Sequence, residues 1–236
     1  MSWSAEAEEI SRRRELALAH GGDAAVARQH EKGRLTIRER IDLLLDEGSF
    51  EEVGPAAGSV VRDEDGELVG FDPANFILGF GRINGQRVVV GGEDFTVRGG
   101  SPSPAGLRKS VYTEELALQY KLPLVRLHEG AGGSIGGTGG KGESLPGPVF
   151  ATPRFKSVAE CMATVPVATA ALGAVAGLPA ARLVASHFSV MSKATAQIMT
   201  AGPAVVERAM GEKTTKEELG GWKVHTKNGT VDNAGE

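Results

Sequence analysis

Residues 76–101 read FILGFGRINGQRVVVGGEDFTVRGGS, and this stretch decides the fold. Two apolar runs, 76–83 and 86–92, flank Asn84-Gly85. That dipeptide tolerates φ > 0 at both centres of a tight turn, so it predicts a β-hairpin. The segment GEDFTV then runs into a glycine-serine-proline loop, GGSPSP, at 99–104.

Working toward the C-terminus, residues 105–120 predict a helix, with Leu107, Val111, Leu116 and Leu118 set among charged positions. KLPLVRLH at 121–128 predicts a short strand, followed by the loop GAGGSIGGTGGKGESLPGP at 130–148. A helix is expected around 151–163, a strand at about 165–171, and a turn over GAVAGLPA at 173–180. ARLVAS at 181–186 and FSVM at 188–191 are expected to be strands. GPAVVERAM at 202–210 predicts a helix opened by Gly202-Pro203, and Thr215 with Glu218 has capping-box spacing.

Working toward the N-terminus, residues 49–74 read as an acidic loop, with RDEDGE at 62–67 as a solvated turn. Before them lies a well-marked helix. Thr36 and Glu39 have capping-box spacing, Ile37, Ile41, Leu44 and Leu45 share one face, and Gly48 stops the run. The first 30 or so residues are charged and helical without a strong apolar stripe, which predicts a surface arm. The division expected is an N-terminal helical arm over 1–48 and an α/β domain over 49–236, rich in βαβ units with parallel strands.

The composition narrows the function classes. A formal net charge of −4 argues against broad nucleic-acid binding, without excluding a local anion site. The single cysteine, Cys161, rules out a disulfide framework or a cysteine-built zinc ribbon and is expected in the core. No apolar run has the length and composition of a membrane span, and the start of the chain lacks a signal-peptide pattern. A reducing, cytoplasmic setting is the expectation, or the mitochondrial matrix in a eukaryote, although no transit peptide is seen. The 33 glycines are about twice ordinary usage and clustered, which points to backbone brought close to a ligand or to other backbone.

The glycine segment 130–137 invites two nucleotide-binding readings, and both fail. A dinucleotide fingerprint needs a helix directly after the glycines, but here glycines continue to Gly142 and prolines follow at 146 and 148. A phosphate loop would need Gly at 135 and Ser or Thr at 142, where the chain has Ile135 and Gly142. What remains is a glycine loop at the end of a strand, whose backbone N–H groups could converge on an oxyanion. The alternative is a plain surface loop. Gly173–Gly177 makes a second small-residue turn, read either as tight packing or as another such site. His128 and Glu129 beside the glycine loop form a candidate acid-base pair, or a structural one. The five histidines show no metal-ligand spacing, no metal site is expected, and no Gly-x-Ser-x-Gly nucleophile pattern occurs.

Three long stretches carry a family likeness: RQHEKGRLTIRERIDLLLDEGSFEE at 28–52, GRINGQRVVVGGEDFTVRGGS at 81–101, and TAGPAVVERAMGEKTTKEELGGWKVHTKNGTVDNAGE at 200–236. On these the chain resembles the carboxyltransferase (beta) subunit of biotin-dependent acyl-CoA carboxylases, the propionyl-CoA and methylcrotonyl-CoA carboxylase family. The resemblance implies an α/β, crotonase-like fold of stacked ββα units. It implies transfer of a carboxyl group from carboxybiotin, on a separate carrier, to the α or vinylogous carbon of an acyl-CoA. Biotin would take the α-proton, and the protein would supply positioning and backbone oxyanion holes.

By the same likeness, Gly130, Ala131, Gly132 and Gly133 are candidate catalytic residues. The family commonly has Asp-Ser-Gly-Gly-Ala here, so the donors are either Ala131 and Gly132 or Gly132 and Gly133. Gly100, Ser101, Lys109, Lys141, Ala176 and Gly177 are candidate substrate-binding residues, with Leu178-Pro179 departing from the family turn. Arg98, Arg108, Lys109 and Lys141 are candidate CoA-phosphate partners by charge, or ordinary surface cations.

Expected partners are the biotin carboxylase and carboxyl-carrier subunit, a C-terminal carboxyltransferase domain, and further copies in a homo- or hetero-oligomer. Family subunits are roughly twice this length, so the resemblance implies the acyl-CoA-binding half. A biotin-dependent acyl-CoA decarboxylase component, a non-catalytic CoA-binding or assembly domain and an inactive fragment stand as alternatives.

Overall fold

The structure, a computed structural model, describes residues 3–132 and 155–236. The chain opens with helices α1 (Ser4–Leu18), α2 (Asp23–His30) and α3 (Ile37–Leu44). The capping box expected at α3 is present: Glu39 N–H donates to Thr36 Oγ1 at 3.4 Å, and Thr36 N–H to Glu39 Oε2 at 2.6 Å. An eight-residue helix is too short to persist alone. Burial of Ile37 and Ile41, worth about 2 kcal/mol each, holds it on the sheet.

The acidic stretch after it is more ordered than a loop. Strands β1 (Glu51–Glu52), β2 (Gly58–Arg62) and β3 (Leu68–Pro73) lie there, and β2 pairs antiparallel with β3. RDEDGE makes their turn, in which Asp63 Oδ1 accepts from the N–H groups of Asp65 (3.1 Å) and Glu67 (2.8 Å). The strands escaped the sequence reading because β2 is largely exposed and shows no buried alternation.

The Asn84-Gly85 hairpin forms as expected, between β4 (Phe76–Ile83) and β5 (Gln86–Glu93), in register from Phe76↔Glu93 to Ile83↔Gln86. Both turn residues have positive φ, 49° and 79°, and their N–H groups donate to the Asp46 carboxylate at 2.9 and 2.7 Å. A 3-10 turn, Arg98–Gly100, leads to α4 (Pro104–Tyr120), capped by Ser103 accepting from Gly106 N–H at 3.0 Å. Then come β6 (Leu124–Gly130), α5 (Lys156–Thr164), β7 (Val167–Ala176) and α6 (Leu178–Val184). Strands β8 (Phe188–Ser192) and β9 (Gln197–Met199), helices α7 (Pro203–Met210), α8 (Lys216–Gly220) and α9 (Trp222–His225), and β10 (Asn233–Gly235) complete the described elements.

Two expectations are corrected here. ARLVAS is not a strand: its first four residues lie in α6, which Pro179 starts within the first turn and which buries Ala180 and Leu183. Strand β7 runs to Ala176, so the chain turns only at Gly177.

Among the described residues the main sheet has the order β1-β4-β5-β6-β7-β8-β10, with β9 beside the end of β7. Strands β5, β6, β7, β8 and β10 run parallel to their neighbours in that order. Side chains alternate between two covered faces, as the two-residue period of a strand requires. Leu78, Val89, Leu124 and Val167 pack with Leu116 and Ala117 of α4 and Cys161 of α5. Ile77, Val88, Val90 and Leu127 pack with Ile37, Ile41 and Leu45. Cys161 is fully buried.

Candidate functional site

Parallel strands place their carboxyl ends on one edge of a sheet, and three small-residue segments meet at that edge. Gly100 has φ +67°, and a Cβ on it would lie 2.7 Å from Gly130 Cα. A Cβ on Gly132 would lie 2.6 Å from Gly177 Cα and 2.7 Å from the Ala176 carbonyl oxygen. Real Cβ atoms do not approach so closely, so backbone meets backbone at both places. Of the predicted site residues, Gly100, Gly130, Gly132, Ala176 and Gly177 are brought together, with Ala131 between two of them.

Hydrogen bonds sort these segments further. Ala131 N–H donates to Gly99 O at 3.1 Å and Gly177 N–H to Met199 O at 3.2 Å. Gly100 N–H donates to Val97 O at 3.1 Å and Ser101 N–H to Arg98 O at 3.2 Å. For Gly132 N–H no acceptor is found among the described residues. Gly133 and Lys141 lie outside the described residues.

Beside this backbone lies a small cleft of ≈ 20 Å³, with Asn75, Glu93, Gly100, Ser110, Leu178 and Arg182 in its lining. Lys109 does not line it. Its Nζ donates to Gly54 O at 3.2 Å and lies 4.0 Å from Glu52 Oε1. Burial pushes this lysine down to about 8, with Arg38 adding to the effect and Glu52 opposing it. Arg98 pairs with Asp72 at the surface, and Arg108 is exposed.

His128 and Glu129 are neighbours in sequence but take opposite faces of β6, so they do not pair with each other. His128 Nδ1 lies 3.0 Å from Glu93 Oε2, and both side chains are buried. Burial pushes the Glu93 carboxyl up, but the charge and hydrogen bond of His128, a backbone hydrogen bond and the charge of Arg182 together hold it below the usual range. His128 Nε2 is buried without a partner among the described residues.

Glu129 is fully buried and accepts from Gln29 Nε2 at 2.7 Å, Arg34 at 3.0 Å, and Arg40. On the other face Glu114 binds Arg126 at 2.8 Å and Arg182 Nε at 3.0 Å, and Ser157 donates to its second oxygen. Sequence reasoning missed these clusters because their partners lie far apart in the chain. The only available signal was Arg40, a cation on the apolar face of a well-marked helix.

A parallel sheet whose carboxyl edge presents close-packed glycine backbone defines, with its helix layers, a crotonase-like α/β fold. The chain belongs to the carboxyl transferase domain family, whose model matches residues 28–236. It is 34% identical over 226 residues to the propionyl-CoA carboxylase beta chain of Cereibacter sphaeroides, covering 95% of this chain and 43% of that protein. With the mitochondrial propionyl-CoA carboxylase beta chain of Homo sapiens it shares 35% identity over 222 residues, covering 93% of this chain and 40% of that one. Among solved structures, the transcarboxylase 12S hexamer with hydrolysed methylmalonyl-coenzyme A bound superposes with a TM-score of 0.80. That match is 28% identical and covers all of this chain and 46% of the other. The chain thus spans less than half the length of these relatives. No helix among the described residues is long and apolar enough to cross a membrane.

Proposed function

We propose that this chain is the acyl-CoA-binding half of a carboxyltransferase. In this reading it receives a carboxyl group from carboxybiotin onto the α-carbon of an acyl-CoA, together with a C-terminal domain. The observation that carries this is the convergence of Gly100, Gly130, Gly132 and Gly177 at the carboxyl ends of β5, β6 and β7 in a member of this family.

A thioester has a flat polar group that needs close backbone approach. Gly132 offers an N–H with no acceptor among the described residues, beside a turn without side-chain bulk. As the α-proton leaves, negative charge grows on the thioester oxygen, and a preset N–H donor there lowers the barrier by about 3 kcal/mol. His128 is engaged by Glu93, which lines the cleft. The flat ureido ring of biotin suits the same small-residue backbone, and Gly132, Ala176 and Gly177 would hold it from this chain's side. When bound, carboxybiotin supplies the carboxyl group. The carrier, the biotin carboxylase, the oligomeric partners and a cytoplasmic setting belong to this proposal.

Calorimetric titration with acetyl-, propionyl- and methylcrotonyl-CoA tests it. Binding of at least one is expected, and carboxylation should appear only after co-expression with a C-terminal domain. A folded chain that binds none of them overturns the reading.

A further inference from the structure

We propose that residues 20–40, part of the N-terminal helical arm expected over 1–48, are a positioning brace for the backbone of the acyl-CoA site. The proposal rests on the acyl-CoA reading for its consequence, but its geometry is independent of it.

Two polar clamps carry the argument, one on each glycine segment that the arm reaches. The first grips the loop before Gly100. His20 Nδ1 lies 2.7 Å from Asp94 Oδ2, while Asp94 Oδ1 accepts from Thr96 N–H at 3.0 Å. Gly21 N–H donates to Thr96 Oγ1 at 3.0 Å, and a Cβ on Gly21 would lie 2.1 Å from the Thr96 carbonyl oxygen. Arm backbone therefore rests directly on loop backbone.

The second clamp grips the residue before Gly130. Glu129 is fully buried, and both its oxygens are taken by arm residues: Arg34 on one, Gln29 and Arg40 on the other. Gly173 of β7 makes the room, since a Cβ there would lie 2.3 Å from the Glu129 carboxyl carbon. A carboxylate held from several directions in a dry site cannot rotate, and its main chain is fixed with it. Immediately beyond it come Gly130, in contact with Gly100, and Gly132, in contact with Gly177. The arm thus sets the place of the backbone that leads into both contacts.

Three variants of the 236-residue chain, Glu129→Asp, Arg34→Lys and His20→Gln, test the brace. Amide hydrogen exchange is read at Gly130 and Ala131 and, as an internal reference, at Val89 and Val90 of β5. Glu129→Asp and Arg34→Lys should speed exchange at 130–131 roughly tenfold, leaving the β5 amides unchanged. His20→Gln should do the same at Gly100, whose N–H donates to Val97 O.

With propionyl-CoA labelled at the thioester carbonyl, the bound carbonyl stretch should move back toward its free position in Glu129→Asp. Affinity for the thioester should fall roughly tenfold while affinity for free CoA holds within about twofold. Exchange at 130–131 unchanged in folded Glu129→Asp and Arg34→Lys overturns the brace. Should Glu129→Asp fail to fold, Arg34→Lys decides by the same exchange measure, because it alters one partner of several at a half-open position. A wild-type chain that binds no acyl-CoA overturns the functional reading alone, and exchange still decides the brace.

Discussion

Arg40 and Glu129, 89 positions apart in the chain, form an ion pair whose side chains are 8% and 0% exposed. The same carboxylate takes Arg34, so one buried anion faces two guanidinium groups. Such a cluster need not be more stable than apolar packing of the same volume, because desolvation offsets much of its attraction. What it adds is a fixed geometry, and its cost becomes visible when one partner is removed.

Glu129→Ala should therefore destabilise the chain by about 3–5 kcal/mol, since the buried Arg40 and the partly exposed Arg34 lose their anion. Replacing the cluster together, as Gln29→Leu, Arg34→Met, Arg40→Met and Glu129→Leu, should recover most of that loss. Urea unfolding of the single and quadruple variants measures both, and acyl-CoA binding should stay impaired in the quadruple.

Gly177 has φ +64° and ψ −123°, a conformation open to glycine and strained for other residues. Gly177→Ala should cost about 1–3 kcal/mol from strain, before the clash with Gly132 is counted. Gly132→Ala meets the same contact from the other side, at 2.6 Å from Gly177 Cα. Both variants should melt earlier and lose acyl-CoA binding by more than roughly tenfold. Thermal melting and calorimetry give the two readings.

Lys109 titrates at about 8 in the fold against an ordinary 10.5. Below pH 8 it is charged in both states, and the fold bears the full burial penalty, roughly 3 kcal/mol. Between pH 8 and 10.5 the unfolded chain holds more protons, so this contribution to stability rises with pH. Lys109→Met should stabilise the chain at pH 7 by about 1–2 kcal/mol, after allowing for the lost hydrogen bond to Gly54 O. The advantage should shrink as pH rises toward 10, which a pH series of urea unfolding curves will show.

Burial pushes the Cys161 thiol up to about 11, with Glu114 adding and Arg126 opposing. At pH 8 it should stay unreactive toward a disulfide reagent for as long as the fold persists, and react fully in urea. Labelling in the native state faster than global unfolding would contradict the packing described around α5.

Local chemistry was the legible part of this sequence. Asn84-Gly85, Thr36 with Glu39, and Thr215 with Glu218 announce their turn and caps within four residues, and the structure shows each in place. The segment 181–186 misled because β-branched and apolar residues suit a strand, while Pro179 had already started a helix. Strands β2 and β3 hid because an exposed hairpin has no buried face to alternate. At the site, glycine clustering marked 130–137 and 173–177 and the family likeness named Gly100, Gly130, Gly132 and Gly177, whose backbones meet, whereas adjacency suggested a His128–Glu129 pair that strand alternation separates. Glu93 with His128, joined by neighbouring parallel strands, and Glu129 with Arg34, joined by the docking of the arm on β6, were beyond any local reading.

That separation also orders the birth of the molecule. Gln29, Arg34 and Arg40 leave the ribosome early, yet their common anion follows by 100, 95 and 89 residues. At roughly 5–20 residues per second, the arm waits for seconds with its cations unmatched. Closing so long a loop costs little more than closing one half its size, so the delay is set by synthesis rather than by chain entropy. The arm can grip Glu129 only once β6 has been made, so the backbone at 130–132 gains its brace long after the brace itself exists.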